Sequence, residues 1–348
     1  MVSHYILPNL LALLQPDDTR TNPHAYELDT RFTRWLDSLA LDMDFIETLK
    51  QIQMPVLISY AYPEASSDQL SVCLDYLTLA FIFEEITDNT SSSQSRRWAD
   101  VYMDMYRRTS SVPSKSVFEE TGHPLFPIMT SLANNVMSSL DPIFHESFIA
   151  ENLASVQAIV QEAIEREVDA PSRQPRTLKA YYTNRLASVG LMPFLILAQW
   201  TGGIRLPAFL QNSPSMWVMS QAAVEMVFLA NDIYSFKKEK MASATQNNVI
   251  SVIIQDPSTR ICEGDLQGSF HYSSRLFQEA LARFRSHKET LMGNPVLAEQ
   301  NHDIEILNTF SQAMMDCVVG NIRWSMVCGR YDVFECEKAR DACEVAMT

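Results

Sequence analysis

Glycine is scarce: it occurs nine times in 348 residues, where average usage would give about 24. No glycines stand in a GxGxxG or GxxxxGK[ST] arrangement, which all but excludes a Rossmann or P-loop phosphate cradle. The six cysteines (Cys73, Cys262, Cys317, Cys328, Cys336 and Cys343) form no CxxC pair, so they read as the reduced thiols of a cytoplasmic protein. Basic residues are also few, 27 Lys and Arg against 42 Asp and Glu, for a net charge of −15. Such a chain does not bind nucleic acid through its general field. An anionic substrate must instead be met by metals or by a few placed Arg and Lys. The longest nearly apolar run, 189–197, is too short to span a bilayer, so no stable membrane insertion is expected. Residues 1–16 are apolar but lack a basic leader segment and contain proline, so they do not read as a signal peptide. Strand alternation, fixed repeats and low-complexity tracts are absent.

What remains is helical periodicity. After an extended arm at 1–23, the pattern predicts helices near 24–41, 43–52, 66–88, 93–108, 124–138 and 142–167. Others follow near 177–200, 214–240, 245–255, 269–292 and 296–328, with polar loops at 109–116 and 169–176. No composition break marks a boundary. The expectation is a single all-α domain over 1–348, a bundle of about ten helices around a central cavity.

Two segments carry hard oxygen donors at the ends of buried helices. In 68–88 the middle is apolar nearly all round, and the end reads Glu84-Glu85-Ile86-Thr87-Asp88. At 100° per residue Glu84 and Asp88 lie about 40° apart and can point together. They also sit where the helix dipole is negative, so a cation should be near. Alone, three acids at a helix end also describe a solvated terminus. In 222–240 an apolar stretch leads into Asn231, Ser235 and Glu239, spaced i, i+4, i+8 on one stripe. Amide oxygen, hydroxyl and carboxylate suit Mg²⁺, although one such stripe also fits an amphipathic helix leaving the core.

Arg185 stands in an otherwise apolar helix that should break near Gly190. Arg330 and Tyr331 close the last long helix, with Trp324 upstream. Arg suits forked recognition of phosphate oxygens; capping and snorkelling are the plainer roles for such residues.

Together these segments resemble the class I terpene synthases, and specifically the basidiomycete-type fungal sesquiterpene synthases of secondary metabolism. That family has a DDxxD or DExxD motif, here Glu84-Glu85-Ile86-Thr87-Asp88, and an N[DE]xxSxxx[DE] motif, here Asn231, Asp232, Ser235 and Glu239. Its diphosphate-sensing Arg precedes that Asn by 46 residues, as Arg185 does. Its C-terminal Arg-Tyr pair is matched by Arg330-Tyr331. Leu7-Pro8-Asn9-Leu10, Asn22-Pro23 and Ala61-Tyr62-Pro63 agree as well, so the resemblance runs along essentially the whole chain. The departure is Glu84 where Asp is usual, which lengthens the reach by a methylene.

The resemblance implies a Mg²⁺-dependent lyase that ionises and cyclises a prenyl diphosphate, most often farnesyl diphosphate, using three Mg²⁺. Glu84, Asp88, Asn231, Ser235 and Glu239 would be the metal ligands. Arg185, Lys238, Arg330 and Tyr331 would face the diphosphate, while Glu85 is held by an Arg. Phe81 and Trp324 would present aromatic faces to the cation, and the break at 188–190 would match the family's effector region. The partner is a small molecule, and the expected assembly is a monomer or homodimer. A chain-elongating prenyltransferase, a degenerate paralogue and a helical scaffold are the alternatives left open.

Overall fold

Helix ends follow from local chemistry. Ser66 and Gln69 form a reciprocal capping box, the backbone N–H of Ser66 donating to Gln69 Oε1 at 3.0 Å and that of Gln69 to Ser66 Oγ at 3.3 Å. The helix they start runs through the acidic motif. A second helix breaks where Gly190 takes φ +71°, a conformation that costs glycine little and other residues more.

A computed structural model describes residues 4–15, 20–88, 90–107, 124–172, 176–242, 247–298 and 301–346. In chain order the helices are α1 (Leu10–Leu14), α2 (Ala25–Ser38), α3 (Met43–Ile52), α4 (Met54–Ala61), α5 (Ser67–Asp88) and α6 (Ser92–Arg107). Next come α7 (Leu125–Ser139), α8 (His145–Ser172), α9 (Leu178–Ser188), α10 (Leu191–Thr201), α11 (Ala208–Gln211) and α12 (Pro214–Met241). The chain ends with α13 (Val249–Gln255), α14 (Leu266–Met292), α15 (Pro295–Ala298), α16 (Asn301–Val327) and α17 (Glu337–Asp341). Two three-residue strands, β1 (His4–Ile6) and β2 (Glu344–Ala346), pair antiparallel.

The all-α expectation holds, with corrections in detail. Residues 1–23 are not simply an extended arm: β1 and α1 lie within them, and Tyr5 stacks on Phe270 at 4.7 Å. The segment expected to loop at 169–176 is helical to Ser172. The helix expected at 177–200 is the pair α9 and α10, and 296–328 is α15 and α16. The expected loop at 109–116 lies outside the described residues.

Helix α5 is buried on nearly every side from Leu70 to Phe83, and α12 from Met216 to Lys237. Each is enclosed by neighbours, α5 by α7, α4 and α8, and α12 by α14, α16 and α9. Gly320 on α16 lets α4 approach closely, since a Cβ there would come within 2.8 Å of Tyr60 Cβ. The six cysteines are unpaired thiols. Among the described residues no helix is long and apolar enough to cross a membrane.

Candidate active site

The C-terminal end of α5, the middle of α12, the α9–α10 break and the turn after α16 meet at one cavity of about 170 Å³, room for much more than a single water. Of the residues singled out above, Phe81, Glu84, Asp88, Arg185, Asn231, Trp324 and Tyr331 line it. Ser188, Val189 and Gly190 line it too. Most of the remaining wall is apolar, from Leu57, Leu77, Val156, Leu191 and Val227 among others. Glu85, Ser235, Lys238, Glu239 and Arg330 lie outside that lining, Glu85 and Arg330 being tied to it through the contacts that follow.

Arg330 ties the acidic motif to the last turn. It lies just beyond the end of α16, and its side chain is buried rather than snorkelling, with 7% exposed. It donates to Glu85 Oε1 and, at 3.3 Å, to Glu84 Oε2. Its guanidinium also lies 5.0 Å over the Phe81 ring. Phe81 and Trp324 stand 6.1 Å apart, and Trp324 meets Tyr331 edge-on at 5.3 Å. Trp324 is fixed from behind, its Nε1–H donating to Ile52 O at 2.6 Å. Asp88 is paired with Arg166 of α8 at 3.2 Å. Partial desolvation, then the Glu84 charge, pushes the Asp88 carboxyl up, with 47% of the side chain still exposed.

On α12 only Asn231 of the stripe lines the cavity. Asn231 Nδ2 donates to Tyr331 Oη at 2.7 Å, joining the two motifs, while its Oδ1 accepts from Arg185 Nη2 at 2.8 Å. Ser235 Oγ donates to Glu239 Oε1 at 2.5 Å. Glu239 Oε2 is buried without a hydrogen-bond partner among the described residues. Burial, then Asp232, raises the Glu239 carboxyl to about 7. Lys238 is an exposed residue whose ammonium is pushed down by partial desolvation and by Arg330, against the pull of Glu84, Glu85 and Asp88.

Arg185 is held by a residue whose part the sequence did not disclose. Asp232, fully buried, accepts from Arg185 Nε at 3.1 Å and Nη2 at 2.8 Å, from Tyr181 Oη, and from the Val249 N–H at 3.0 Å. Asn248 reaches back to the Asp232 carbonyl at 2.7 Å. Glu162 and Arg166 of α8 also went unrecognised. They belong to a charge-rich stretch, Glu162 to Glu167, that reads as a solvated face. Their i, i+4 spacing was the only local signal that they share a side.

A hard cation fits this donor set. It contains an unpartnered buried carboxylate oxygen, an amide oxygen, a hydroxyl and the cavity-lining acids Glu84 and Asp88, which are ligand types of Mg²⁺. Among the described residues no three His, Cys, Asp or Glu side chains converge by themselves into a ligand cluster. The carboxylates are instead divided between α5, where Arg166 and Arg330 pair with them, and α12, where Glu239 is bonded to Ser235.

Residues 75–283 match the family described as terpene synthase family 2, C-terminal metal binding. Sesquiterpene synthase 6 of Postia placenta is 22% identical over 94% of this chain and 90% of its own length. Alpha-muurolene synthase of Coprinopsis cinerea is 25% identical over 94% of this chain and 74% of its own. Among solved structures, an α-eudesmol synthase superposes with a TM-score of 0.72 at 20% identity, covering 89% of this chain and 97% of that one. A cucumene synthase variant gives 0.71, at 20% identity over 90% and 98%.

Proposed function

Starting from the fact that this chain belongs to terpene synthase family 2, we propose that it is a sesquiterpene synthase. It ionises farnesyl diphosphate, cyclises the cation and releases diphosphate. The observation that carries this reading is the shared cavity: Glu84 and Asp88 of α5 and Asn231 of α12 line one apolar hollow, as does Arg185, which is bonded to Asn231. The sesquiterpene assignment is supported by relatives named for that activity over most of their length.

The metal would be Mg²⁺, three ions by family resemblance, and Glu84, Asp88, Asn231, Ser235 and Glu239 would hold it. When bound, Mg²⁺ supplies neutralisation of the leaving diphosphate. The remaining work belongs to the chain. Arg185 and Arg330 present N–H donors to diphosphate oxygens, and their carboxylate partners hold them oriented beforehand, so less ordering is needed on binding. Lys238 adds charge at the rim and Tyr331 a hydroxyl. The longer Glu84 reaches further than an Asp would, and its tie to Arg330 is the looser of that residue's two carboxylate contacts. The Phe81 and Trp324 rings offer negative faces to the migrating positive charge, each worth about 0.5–2 kcal/mol. The apolar wall keeps water from quenching the cation early. The setting is cytosolic.

The purified chain should convert farnesyl diphosphate with Mg²⁺ into a sesquiterpene detectable by gas chromatography. EDTA should stop turnover, and Glu239→Ala should abolish it while the helical circular dichroism is kept. No terpene from C10, C15 or C20 diphosphates would defeat the reading. Longer prenyl chains formed on adding isopentenyl diphosphate would favour a chain-elongating enzyme.

A further inference from the structure

Glu162 lines the cavity and belongs to neither oxygen motif. It lies on α8 on the same face as Ser155 and Ile159, which also line the cavity. Its Oε1 accepts from the Ser188 hydroxyl and lies 3.9 Å from Arg185 Nη1. Nothing among the described residues donates to Oε2. A carboxylate with one oxygen anchored and the other unengaged is therefore built into an otherwise largely apolar wall. Its side chain is 14% exposed, and burial raises its affinity for a proton against the lowering pull of Arg185.

We propose that Glu162 is the base that ends the reaction, taking a proton from the final cyclised carbocation through Oε2. This rests on the terpene synthase reading above. In the step, a C–H bond on the carbon next to the cationic centre breaks. Its electron pair becomes the π bond of the product olefin, and the proton forms an O–H bond to Oε2. Positive charge leaves the hydrocarbon as Glu162 becomes neutral, so charge and atoms balance. The proton passes to water when the product leaves. Of the other acids lining the cavity, Glu84 and Asp88 are paired with Arg330 and Arg166 and belong to the metal motif. Asn321 also lines the cavity with an unpartnered amide oxygen, but an amide is a far weaker base, so among the lining carboxylates Glu162 is the one left for a cation near Ile159 and Leu191. The consequence is an olefin as main product instead of an alcohol.

The test uses the full chain with farnesyl diphosphate and Mg²⁺, reading diphosphate release and the product profile by gas chromatography–mass spectrometry. Glu162→Gln keeps the side-chain length and an oxygen for Ser188 but cannot hold the proton. Measured against the total diphosphate released by the same variant, the main olefin should fall at least about tenfold. Isomeric olefins or alcohols should replace it. Glu162→Asp sets the carboxylate back, so with substrate deuterated at the carbon that loses its hydrogen, the olefin share should become more sensitive to deuterium than in wild type. A residue that only braced Ser188 would leave that sensitivity unchanged. An unchanged profile in Glu162→Gln, unchanged isotope sensitivity in Glu162→Asp, or an alcohol as the main wild-type product overturns the proposal alone. A wild-type chain that makes no terpene at all defeats the parent reading.

Discussion

Replacing Asp232 with Asn removes one charge and leaves the shape nearly intact. In the structure that carboxylate is fully buried and receives four donors: Arg185 Nε, Arg185 Nη2, Tyr181 Oη and the Val249 N–H. The Asn amide keeps one accepting oxygen, so at least one donor loses its acceptor and Arg185 loses its closest counter-charge. Breaking a buried ion pair from one side costs about 3–5 kcal/mol, chiefly because the remaining charge stays desolvated. Glu162, at 3.9 Å from Arg185, recovers part of this, which places the expected cost near the lower end. For 348 residues the unfolding entropy is on the order of 0.7 kcal/mol/K, so Tm should fall by about 4–6 °C. Urea denaturation followed by circular dichroism gives the free energy and a thermal scan gives Tm. The double variant Asp232→Asn with Arg185→Met should lose less than the sum of the two single changes, because no stranded cation remains. Turnover should drop in Asp232→Asn even where the protein is folded, since Arg185 is no longer oriented. A loss under about 1 kcal/mol, or strict additivity in the double variant, would refute the reasoning.

Three further outcomes follow from the same structure. Without metal, the folded chain binds the Glu239 proton more tightly than the unfolded chain, with the carboxyl raised to about 7 by burial. Native stability should therefore decline as pH rises from about 4.5 to about 7 and level off above, by up to about 3 kcal/mol. Glu239→Gln should remove that component, as wild-type-minus-variant denaturation in EDTA at pH 5 and pH 8 will read. Gly320→Val should destabilise by about 1–3 kcal/mol, since the new side chain must push α4 and α16 apart at Tyr60, and an unchanged Tm would contradict this. Phe81→Leu keeps apolar volume but removes the ring face beneath Arg330 and beside Trp324. The share of cyclised product should fall about 2- to 30-fold, corresponding to about 0.5–2 kcal/mol, and an unaltered product mix would show that the face contributes nothing.

Much of the site was legible because helix periodicity carries angular information. Glu84 and Asp88, whose i, i+4 spacing lets them point together, both line the cavity, and Gly190 marked the break between α9 and α10. Other features left weaker traces. Helix α4 follows α3 with only Gln53 between them, in a left-handed conformation; Pro55 in its first turn was the one local sign. Strands β1 and β2 are three residues long and bring together opposite ends of the chain, so no local alternation announces them. Asp232 lies inside a recognised motif, but its role depends on Tyr181, Arg185 and Val249, which only tertiary packing assembles. Glu162 was hidden for the opposite reason, because its charged neighbours gave α8 the composition of a solvent-facing helix.

The most direct measurement is an electron-density map from crystals of the chain grown with Mg²⁺ and inorganic diphosphate. Metal ions should lie between the α5 acids and the Asn231–Ser235–Glu239 stripe, with Arg185 and Arg330 turned onto the diphosphate. Diphosphate bound elsewhere, or metal held by only one of the two helices, would contradict the account.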